Sequence, residues 1–296
     1  MECEKKYLET PSGAVRVIGH AEISDAVRAL FIDANYRLPD AVCKLISHAK
    51  SCERDAVARG VLDTLEDNIA AADELDVPIC QDTGMAVLFC EIGQGVYIDA
   101  VLEDAVNEGV HRAYVEGSLR KSIVRDPLYD RTNTEDNTPA ALRVSFSKDS
   151  DLAGRIRLTA APKGFGSENM SAIRMFTPSA TEDEIVQFVV DSVLRAGANP
   201  CPPIIVGVGI GANFEGSALL AKRALLRDTP AEDVNYKRLE EKMLRAINQT
   251  GIGPQGFGGD TTALAVRVNY APTHIAGLPV AVNINCHVSR HKSVIL

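Results

Sequence analysis

Three cysteines lie in widely separated segments whose neighbouring residues fix or bend the backbone. Cys80 stands in Val-Pro-Ile-Cys-Gln-Asp-Thr-Gly, Cys201 in Gly-Ala-Asn-Pro-Cys-Pro-Pro, and Cys286 in Asn-Ile-Asn-Cys-His. Buried structural cysteines more often stand inside plain apolar runs, without prolines that lock φ or glycines that allow turns. Three thiolates from distant loops can hold an iron–sulfur cluster and leave one iron without a protein ligand. That iron could act as a Lewis acid.

Two of these cysteines also have ordinary interpretations. Cys80 could be a core cysteine beside a turn, since Asp-Thr-Gly suits turns. Asp-Thr-Gly also occurs in aspartic proteases, but those need a second copy of the motif, which only the pairing of two chains would supply here. For Cys201, the local context favours a metal ligand and a loop cysteine at a helix end equally.

The segment around Cys286 allows a different metal site. On a helix, His287 and His291 would have the four-residue spacing with which they could bind zinc together with Cys286. The ordinary alternative is a polar tail with Ser289, Arg290 and Lys292 in solvent. We favour Cys286 as a ligand and leave both histidines unassigned.

Composition excludes several classes of function. The formal net charge is −9, aromatic residues make up 5% of the 296 residues, and tryptophan is absent. A basic surface or a base-stacking platform for nucleic acid is therefore not indicated. No apolar run reaches the length of a membrane span, and no signal peptide follows Met1. Seven cysteines without an export signal indicate a reducing cytoplasm rather than a disulfide framework.

The hydrophobic periodicity predicts an α/β fold, with a helical N-terminal layer followed by mixed β-sheets with helices and a cluster-binding cleft. We treat residues 1–296 as one cluster-binding domain, which could consist of two subdomains. The predicted helices cover 21–36, 39–51, 53–74, 99–116, 182–196, 213–227 and 233–248. The predicted strands cover 87–92, 142–147, 155–161, 203–208, 262–269 and 279–284. In the third helix the spacing predicts an inward stripe of Val57, Val61, Leu65 and Ile69, and Asp99 is the expected N-cap of the fourth.

Two glycine-rich segments resemble anion-binding loops. The segment 163–169, Lys-Gly-Phe-Gly-Ser-Glu-Asn, could offer backbone N–H groups to a carboxylate or phosphate, or simply form a tight turn. The segment 207–212, Gly-Val-Gly-Ile-Gly-Ala, fits a dinucleotide fingerprint, but no second strand ending in an acidic residue follows it. Close packing of a helix on a strand explains its glycines adequately. The long polar stretch 125–139 is expected to be an ordered loop that serves a site.

Four motifs together resemble the iron–sulfur class I fumarases and their relatives, the L(+)-tartrate dehydratases. They are Cys-Gln-Asp-Thr-Gly at 80–84, Lys-Gly-x-Gly-Ser-Glu-Asn at 163–169, Asn-Pro-Cys-Pro-Pro at 199–203, and Thr-His-Ile-Ala-Gly-Leu-Pro-Val-Ala at 273–281. The resemblance extends from about Val15 to Cys286. Each motif alone is weak, but their order and wide spacing make the combination specific. One departure is Gly164-Phe165-Gly166, where many members have three consecutive glycines.

The resemblance implies a four-iron, four-sulfur cluster held by Cys80, Cys201 and Cys286. It places substrate contacts on a further set of residues, which are Gln81, Asp82, Arg120, Gly164 and His274. Asp82 would handle a proton, Gln81 would orient the substrate, and Arg120 would pair with a carboxylate.

The resemblance also implies a partner. Single-chain class I fumarases continue into a second domain, whereas this chain stops ten residues after Cys286, so we expect the α subunit of an α2β2-type enzyme. A β subunit would complete the active site and supply the base that removes the carbon-bound proton.

The expected activity is the reversible hydration of fumarate to L-malate, a reaction of the tricarboxylic acid cycle. The alternative within the family is dehydration of L(+)-tartrate to oxaloacetate, and the alternative from another class is a non-catalytic iron–sulfur sensor.

Overall fold

The computed structural model describes residues 6–10 and 13–296 and confirms the α/β class. The chain divides into two compact units. The first combines the chain up to Arg37 with Leu75–Lys163 and Arg290–Leu296, and the second combines Leu38–Glu74 with Gly164–Ser289. Each unit therefore contains segments that are distant in sequence.

Helices and strands follow in mixed order. The strands are β1 Lys6–Thr10, β2 Gly13–Gly19, β3 Val87–Ile92, β4 Val96–Asp99, β5 Ala141–Phe146, β6 Ile156–Ala160, β7 Ala172–Phe176, β8 Ile204–Ala212, β9 Ala263–Thr273, β10 Leu278–Asn285 and β11 Lys292–Ile295. The helices are α1 His20–Tyr36, α2 Asp40–Cys52, α3 Ala56–Leu75, α4 Leu102–Glu116, α5 Phe165–Glu168, α6 Glu182–Ala196, α7 Phe214–Ala224 and α8 Val234–Asn248. None of the helices in the described residues has both the length and the apolar character needed to cross a membrane.

The first unit contains two sheets and a pair of packed helices. One sheet has the order β1-β2-β4, in which β1 and β2 are antiparallel and β2 and β4 are parallel. The other has the order β11-β6-β3-β5, in which β3 and β5 are parallel and the other neighbours are antiparallel. Helices α1 and α4 pack together, and Gly109 permits this approach because a Cβ there would lie 2.6 Å from the Ser24 carbonyl oxygen. Apolar side chains of both helices share one core with β3 and β6. This core supports the segment that carries Cys80.

The second unit is a sheet in the order β7-β10-β8-β9, with helices on both faces. Alternate residues of a strand point to opposite faces. Val206 and Val208 share the core with α6 and α8. Gly207 and Gly209 face α7 instead, since a Cβ on either would lie within 2.1 Å of an α7 carbonyl oxygen. The interpretation of these glycines as helix–strand packing is confirmed, although the segment lies within β8 rather than after a shorter strand.

Several predicted details are wrong. Strands β1 and β2 precede the helices, so the N-terminal layer is not purely helical. Asp99 ends strand β4, and Val101 is the N-cap of α4. In α3 the buried residues are Ala58, Leu62 and Ala72, while Val57 is 60% exposed. The predicted stripe is therefore only partly buried, since Val61, Leu65 and Ile69 are half-buried.

Candidate active site

The loop that carries Cys80 is held in shape by its own backbone. The Ile79 amide donates to the Asn35 carbonyl (3.0 Å), and the Asp82 amide donates to the Cys80 sulfur (3.4 Å). The Asp82 carboxylate in turn accepts the Gly84 amide at 3.1 Å. Gly84 has φ +74°, and a Cβ there would lie 2.6 Å from the Lys163 backbone, so glycine is required. The Cys80 thiol is half-buried and Gln81 is exposed.

A buried layer of side chains lies behind this loop. The Tyr114 hydroxyl lies 3.0 Å from the Thr83 carbonyl oxygen and 2.9 Å from that of Gly84. Burial raises the pKa of Tyr114, which therefore remains a neutral donor. Asn137 donates to the Gly84 carbonyl (3.2 Å) and accepts from the Ser122 amide (2.8 Å). The fixed positions of these groups define the orientation of the loop in the first unit.

Arg120 lies against the Cys80 loop. Its backbone amide donates to the Thr83 hydroxyl oxygen at 2.8 Å, and its guanidinium donates to the Gln81 side-chain oxygen at 2.9 Å. Arg120 and Gln81 are both exposed. The guanidinium N–H groups that do not bond to Gln81 are therefore accessible from solvent, next to the Gln81 side-chain amide. This is the arrangement that binds a carboxylate in a bidentate manner. The structure thus brings together Cys80, Gln81, Asp82 and Arg120.

Cys201 and Cys286 belong to the second unit, on two segments that hydrogen bonds join. Cys201 follows α6, is exposed, and has φ +54°, which is uncommon for a residue other than glycine. His287, directly after Cys286, has its Nδ1 3.0 Å from the Cys201 carbonyl oxygen. The Gln255 backbone amide and side-chain amide both donate to the Pro202 carbonyl, at 2.8 and 2.7 Å. The backbone around Cys201 is therefore held by residues distant in sequence.

The zinc arrangement is wrong in its helical form, because residues 286–291 form no helix. The polar-tail alternative is also wrong for Ser289 and Arg290, which are buried, and the chain continues into β11. Within residues 6–10 and 13–296, no group of three or more His, Cys, Asp or Glu side chains is arranged to hold a metal ion.

The predicted glycine loop after Lys163 is a short helix. Gly164 is the residue before α5, and its carbonyl accepts from the Glu168 amide and the Ser167 hydroxyl, both at 3.1 Å. Phe165 is the first residue of α5 and has no positive φ, so the departure from three glycines needs no strained backbone. The Gly164 carbonyl is used within the first turn of α5.

His274 lies in the turn between β9 and β10, in the second unit. Its side chain is exposed, and its Nδ1 accepts the Ala276 amide at 3.1 Å. The turn closes with a bond from the Gly277 amide to the His274 carbonyl (3.0 Å). The ring is thereby oriented by its own turn.

Glu53 was not among the predicted site residues. It anchors the end of the glycine-rich loop 251–259, which contains Gln255. Its carboxylate is fully buried and accepts the backbone amides of Asp260 (2.9 Å) and Thr261 (3.0 Å). The amides of Arg54 and Asp55 add two more bonds at 3.1 Å. Glu53 is the first residue of the predicted helix 53–74, whereas the structure places it between α2 and α3, so no sequence pattern marked its role.

The other cysteines among the described residues lie in α2 and β3. Cys90 is fully buried in β3, and burial raises its pKa to about 11. Cys43 is half-buried in α2. The six cysteines of residues 6–10 and 13–296 are thiols rather than disulfides, and Cys3 lies outside the described residues.

Comparison with known proteins decides the family. The model of the family described as Fumarate hydratase (Fumerase) matches residues 24–295. This chain belongs to the fumarate hydratase family. The matched range contains every residue that the sequence motifs assigned to the site, and the resemblance read from those motifs is confirmed.

Curated relatives cover most of the chain. A protein of Methanocaldococcus jannaschii with the provisional name L(+)-tartrate dehydratase subunit alpha is 38% identical over 275 residues, which are 91% of this chain and 95% of that protein. The L(+)-tartrate dehydratase subunit alpha of Escherichia coli strain K12 is 30% identical over 265 residues, which are 88% of this chain and 86% of that subunit. The protein of the same name from Shigella boydii has the same identity and coverage.

Proposed function

We propose that this chain is the α subunit of an iron–sulfur-dependent hydro-lyase that catalyses the reversible hydration of fumarate to L-malate. The observation that carries the proposal is the hydrogen bond of 2.9 Å between Arg120 and Gln81, on the exposed side of the loop that contains Cys80. It puts a carboxylate-binding group next to a soft metal ligand, as a hydro-lyase acting on a hydroxy acid requires. Membership of the fumarate hydratase family supports the reaction type.

Cys80, Cys201 and Cys286 would supply the three thiolates of a four-iron, four-sulfur cluster. Their chemistry fits this group, because all three are thiols at loop positions and none is fully buried. The Asp82 N–H that points to the Cys80 sulfur at 3.4 Å is a hydrogen bond of the kind that stabilises a thiolate ligand. When bound, the cluster would supply Lewis-acid assistance to the departing hydroxyl group.

The chain's own residues would bind and orient the substrate. Arg120 would pair with one carboxylate, and Gln81 would hold both Arg120 and the substrate in place. The Asp82 carboxylate, fixed by the Gly84 amide, would accept or return a proton at its second oxygen. Gly164 and His274 keep the substrate-contact roles that the family resemblance implies, and these two assignments rest on that resemblance alone.

A β subunit would complete the site. The named relatives are all alpha subunits, which supports an assembly of two kinds of chain, and we propose an α2β2-type complex. The base that removes the carbon-bound proton would belong to that partner. We place the enzyme in the cytoplasm, since a cluster with an open iron requires reducing conditions.

L(+)-tartrate is the second candidate substrate, because the relatives described above are named as tartrate dehydratase subunits. It differs from L-malate by one hydroxyl group. The test is to co-express the chain with its partner, reconstitute iron anaerobically, and measure turnover of fumarate, L-malate and L(+)-tartrate side by side. Faster conversion of fumarate and L-malate supports the proposal, and faster release of oxaloacetate from tartrate selects the second candidate. An iron-loaded complex that converts none of them would favour the non-catalytic sensor.

A further inference from the structure

Three arginines are buried among residues 6–10 and 13–296, namely Arg16, Arg267 and Arg290, and the hydrogen bonding of the last two differs. Arg267, in β9 of the second unit, is 8% exposed, and its Nε, Nη1 and Nη2 each donate to a backbone carbonyl at 3.1–3.3 Å. Arg290, in the first unit, is 3% exposed, and its Nη2 donates to the Asp82 carbonyl. The Nε and Nη1 of Arg290 are fully buried and have no hydrogen-bond partner among residues 6–10 and 13–296.

A buried guanidinium with unused donors is unfavourable. Arginine stays charged at any pH at which a protein is folded, so it cannot escape the desolvation cost by losing a proton. A buried cation without a counter-charge costs several kcal/mol, and each unpaired donor adds to that cost. Burial raises the pKa of Tyr114, so its hydroxyl stays neutral, and the Asp82 side chain, which shares this environment, does not hydrogen-bond to Nε or Nη1. Compensation from an anion that the chain binds would remove this cost.

The position of Arg290 indicates which anion. Its one hydrogen bond is to the backbone of Asp82, in the loop that carries the Cys80 thiol and the Gln81–Arg120 pair. Arg120 is exposed and can meet the substrate from solvent, whereas Arg290 approaches the same loop from its buried side. Any anionic group held by this loop therefore lies in the field of a charge that water does not screen.

We propose that Arg290 is a positioning residue, which fixes the Asp82 backbone and balances the negative charge of the group bound by the Cys80–Thr83 loop. This inference rests on the proposed function. The ligand chemistry is an anion with hydrogen-bond acceptors, which is either the sulfide-bearing cluster or a substrate carboxylate. These two sources predict different outcomes.

The test compares Arg290→Met, Arg290→Lys and Arg267→Met in the full chain. The first measurement is urea unfolding without iron. The second, after anaerobic reconstitution, is the half-time of iron release to a chelator. The third is KM and kcat for L-malate and L(+)-tartrate with the partner chain bound. Arg267→Met is the matched control, since it removes a buried arginine whose three nitrogens each donate a hydrogen bond within the chain.

We expect Arg290→Met to leave the iron-free stability unchanged or higher, because it removes a buried cation with two nitrogens that have no hydrogen-bond partner in the described chain. If the anion is the cluster, iron release becomes at least about tenfold faster, and if it is the carboxylate, KM rises at least about tenfold while iron retention is unchanged. Arg290→Lys restores part of either effect, since it keeps the charge and loses the planar fork. Arg267→Met lowers the iron-free stability and leaves iron release and KM unchanged.

The inference is overturned if Arg290→Met matches the wild type in iron release and KM, or if it only loses iron-free stability as Arg267→Met does. Failure of the proposed function has a different signature. In that case the wild-type complex itself retains no iron and converts neither substrate, and the inference fails with it.

Discussion

Glu53 and Arg290 are both buried charges, one in each unit, and the chain satisfies them to different extents. The Glu53 carboxylate accepts four backbone amides, from residues adjacent in sequence and from the loop around Asp260. Arg290 makes one hydrogen bond, to Asp82, and two of its nitrogens have no partner in the described part of the chain. A charge that the chain satisfies completely is part of the scaffold. A charge that it leaves incomplete marks the region that binds something else.

The same contrast applies to the cysteine segments. The loop around Cys201 is held by His287 and Gln255, within a network that Glu53 anchors at its other end. The loop around Cys80 is held from behind by Tyr114 and presents exposed polar groups in front. The backbone around Cys201 is thus held within the second unit, and the first unit carries Cys80 beside the exposed Gln81 and Arg120.

The largest loss of stability is expected for Glu53→Ala. Four backbone amides would lose the fully buried carboxylate that accepts their hydrogen bonds, and we expect the free energy of unfolding to fall by about 3 kcal/mol or more in urea titration. Glu66→Ala is the control, since Glu66 bonds to Ser47 and Lys50 on the outer side of α3 and α2, where the loss should be much smaller. Equal losses in the two variants would show that Glu53 is not the anchor described above.

Arg120→Ala tests the front of the Cys80 loop. We expect KM for L-malate to rise at least about tenfold while iron content stays at the wild-type level, because a charged hydrogen bond to the substrate is removed. The KM of Arg120→Lys should lie between those of the wild type and Arg120→Ala, since lysine keeps the charge but cannot bind a carboxylate in a bidentate manner. Arg131→Ala, at another exposed arginine, is the control. An Arg120→Ala enzyme with unchanged kinetics would favour the sensor function instead.

Tyr114→Phe tests the support behind the loop. The Gly84 carbonyl would keep its bond from Asn137, but the Thr83 carbonyl would lose the Tyr114 donor. We expect the free energy of unfolding to fall by about 1–2 kcal/mol, with faster iron release from the reconstituted chain. Tyr97→Phe, at a half-exposed tyrosine of β4, should change neither value. Iron release as slow as in the wild type would mean that the buried layer does not position Cys80.

The smallest effect is expected for His287→Ala. The Cys201 carbonyl would lose one hydrogen bond at an exposed site, so the change in unfolding free energy should stay within about 1 kcal/mol. Amide exchange at Cys201 should nevertheless become faster, because its turn is less restrained. His48→Ala, on the exposed side of α2, is the control. Unchanged exchange at Cys201 would assign the restraint to Gln255 alone.

Local sequence signals predicted the parts of the fold that local interactions determine. Thr181-Glu182-Asp183-Glu184 matches a capping box in the sequence, and Thr181 and Glu184 form it, with bonds of 3.3 Å and 2.7 Å between side chain and backbone. Asn213, an expected N-cap, caps α7, and Asp233, at the start of the predicted helix 233–248, caps α8. The short strands β4, β7 and β11 were missed, because all three lie at a sheet edge, pair with one neighbour and carry little apolar pattern.

The residues of the candidate site also divide into those that a sequence motif indicates and those that only the structure reveals. Gln81 and Arg120 were assigned by motif, and the structure places them in contact, a finding that composition or periodicity could not supply. Glu53, Tyr114 and Arg290 act through partners far away in sequence, so no local pattern marks them. A buried charge is recognisable only when the fold shows what surrounds it.

The central claim is that Cys80, Cys201 and Cys286 hold a four-iron, four-sulfur cluster. The most direct test is to measure iron and acid-labile sulfide per chain after strictly anaerobic purification, with Cys201→Ala beside the wild type. Our account predicts iron and sulfide in nearly equal amounts in the wild type, and loss of both in the variant. Zinc in place of iron, or an iron content that the variant retains in full, would contradict it.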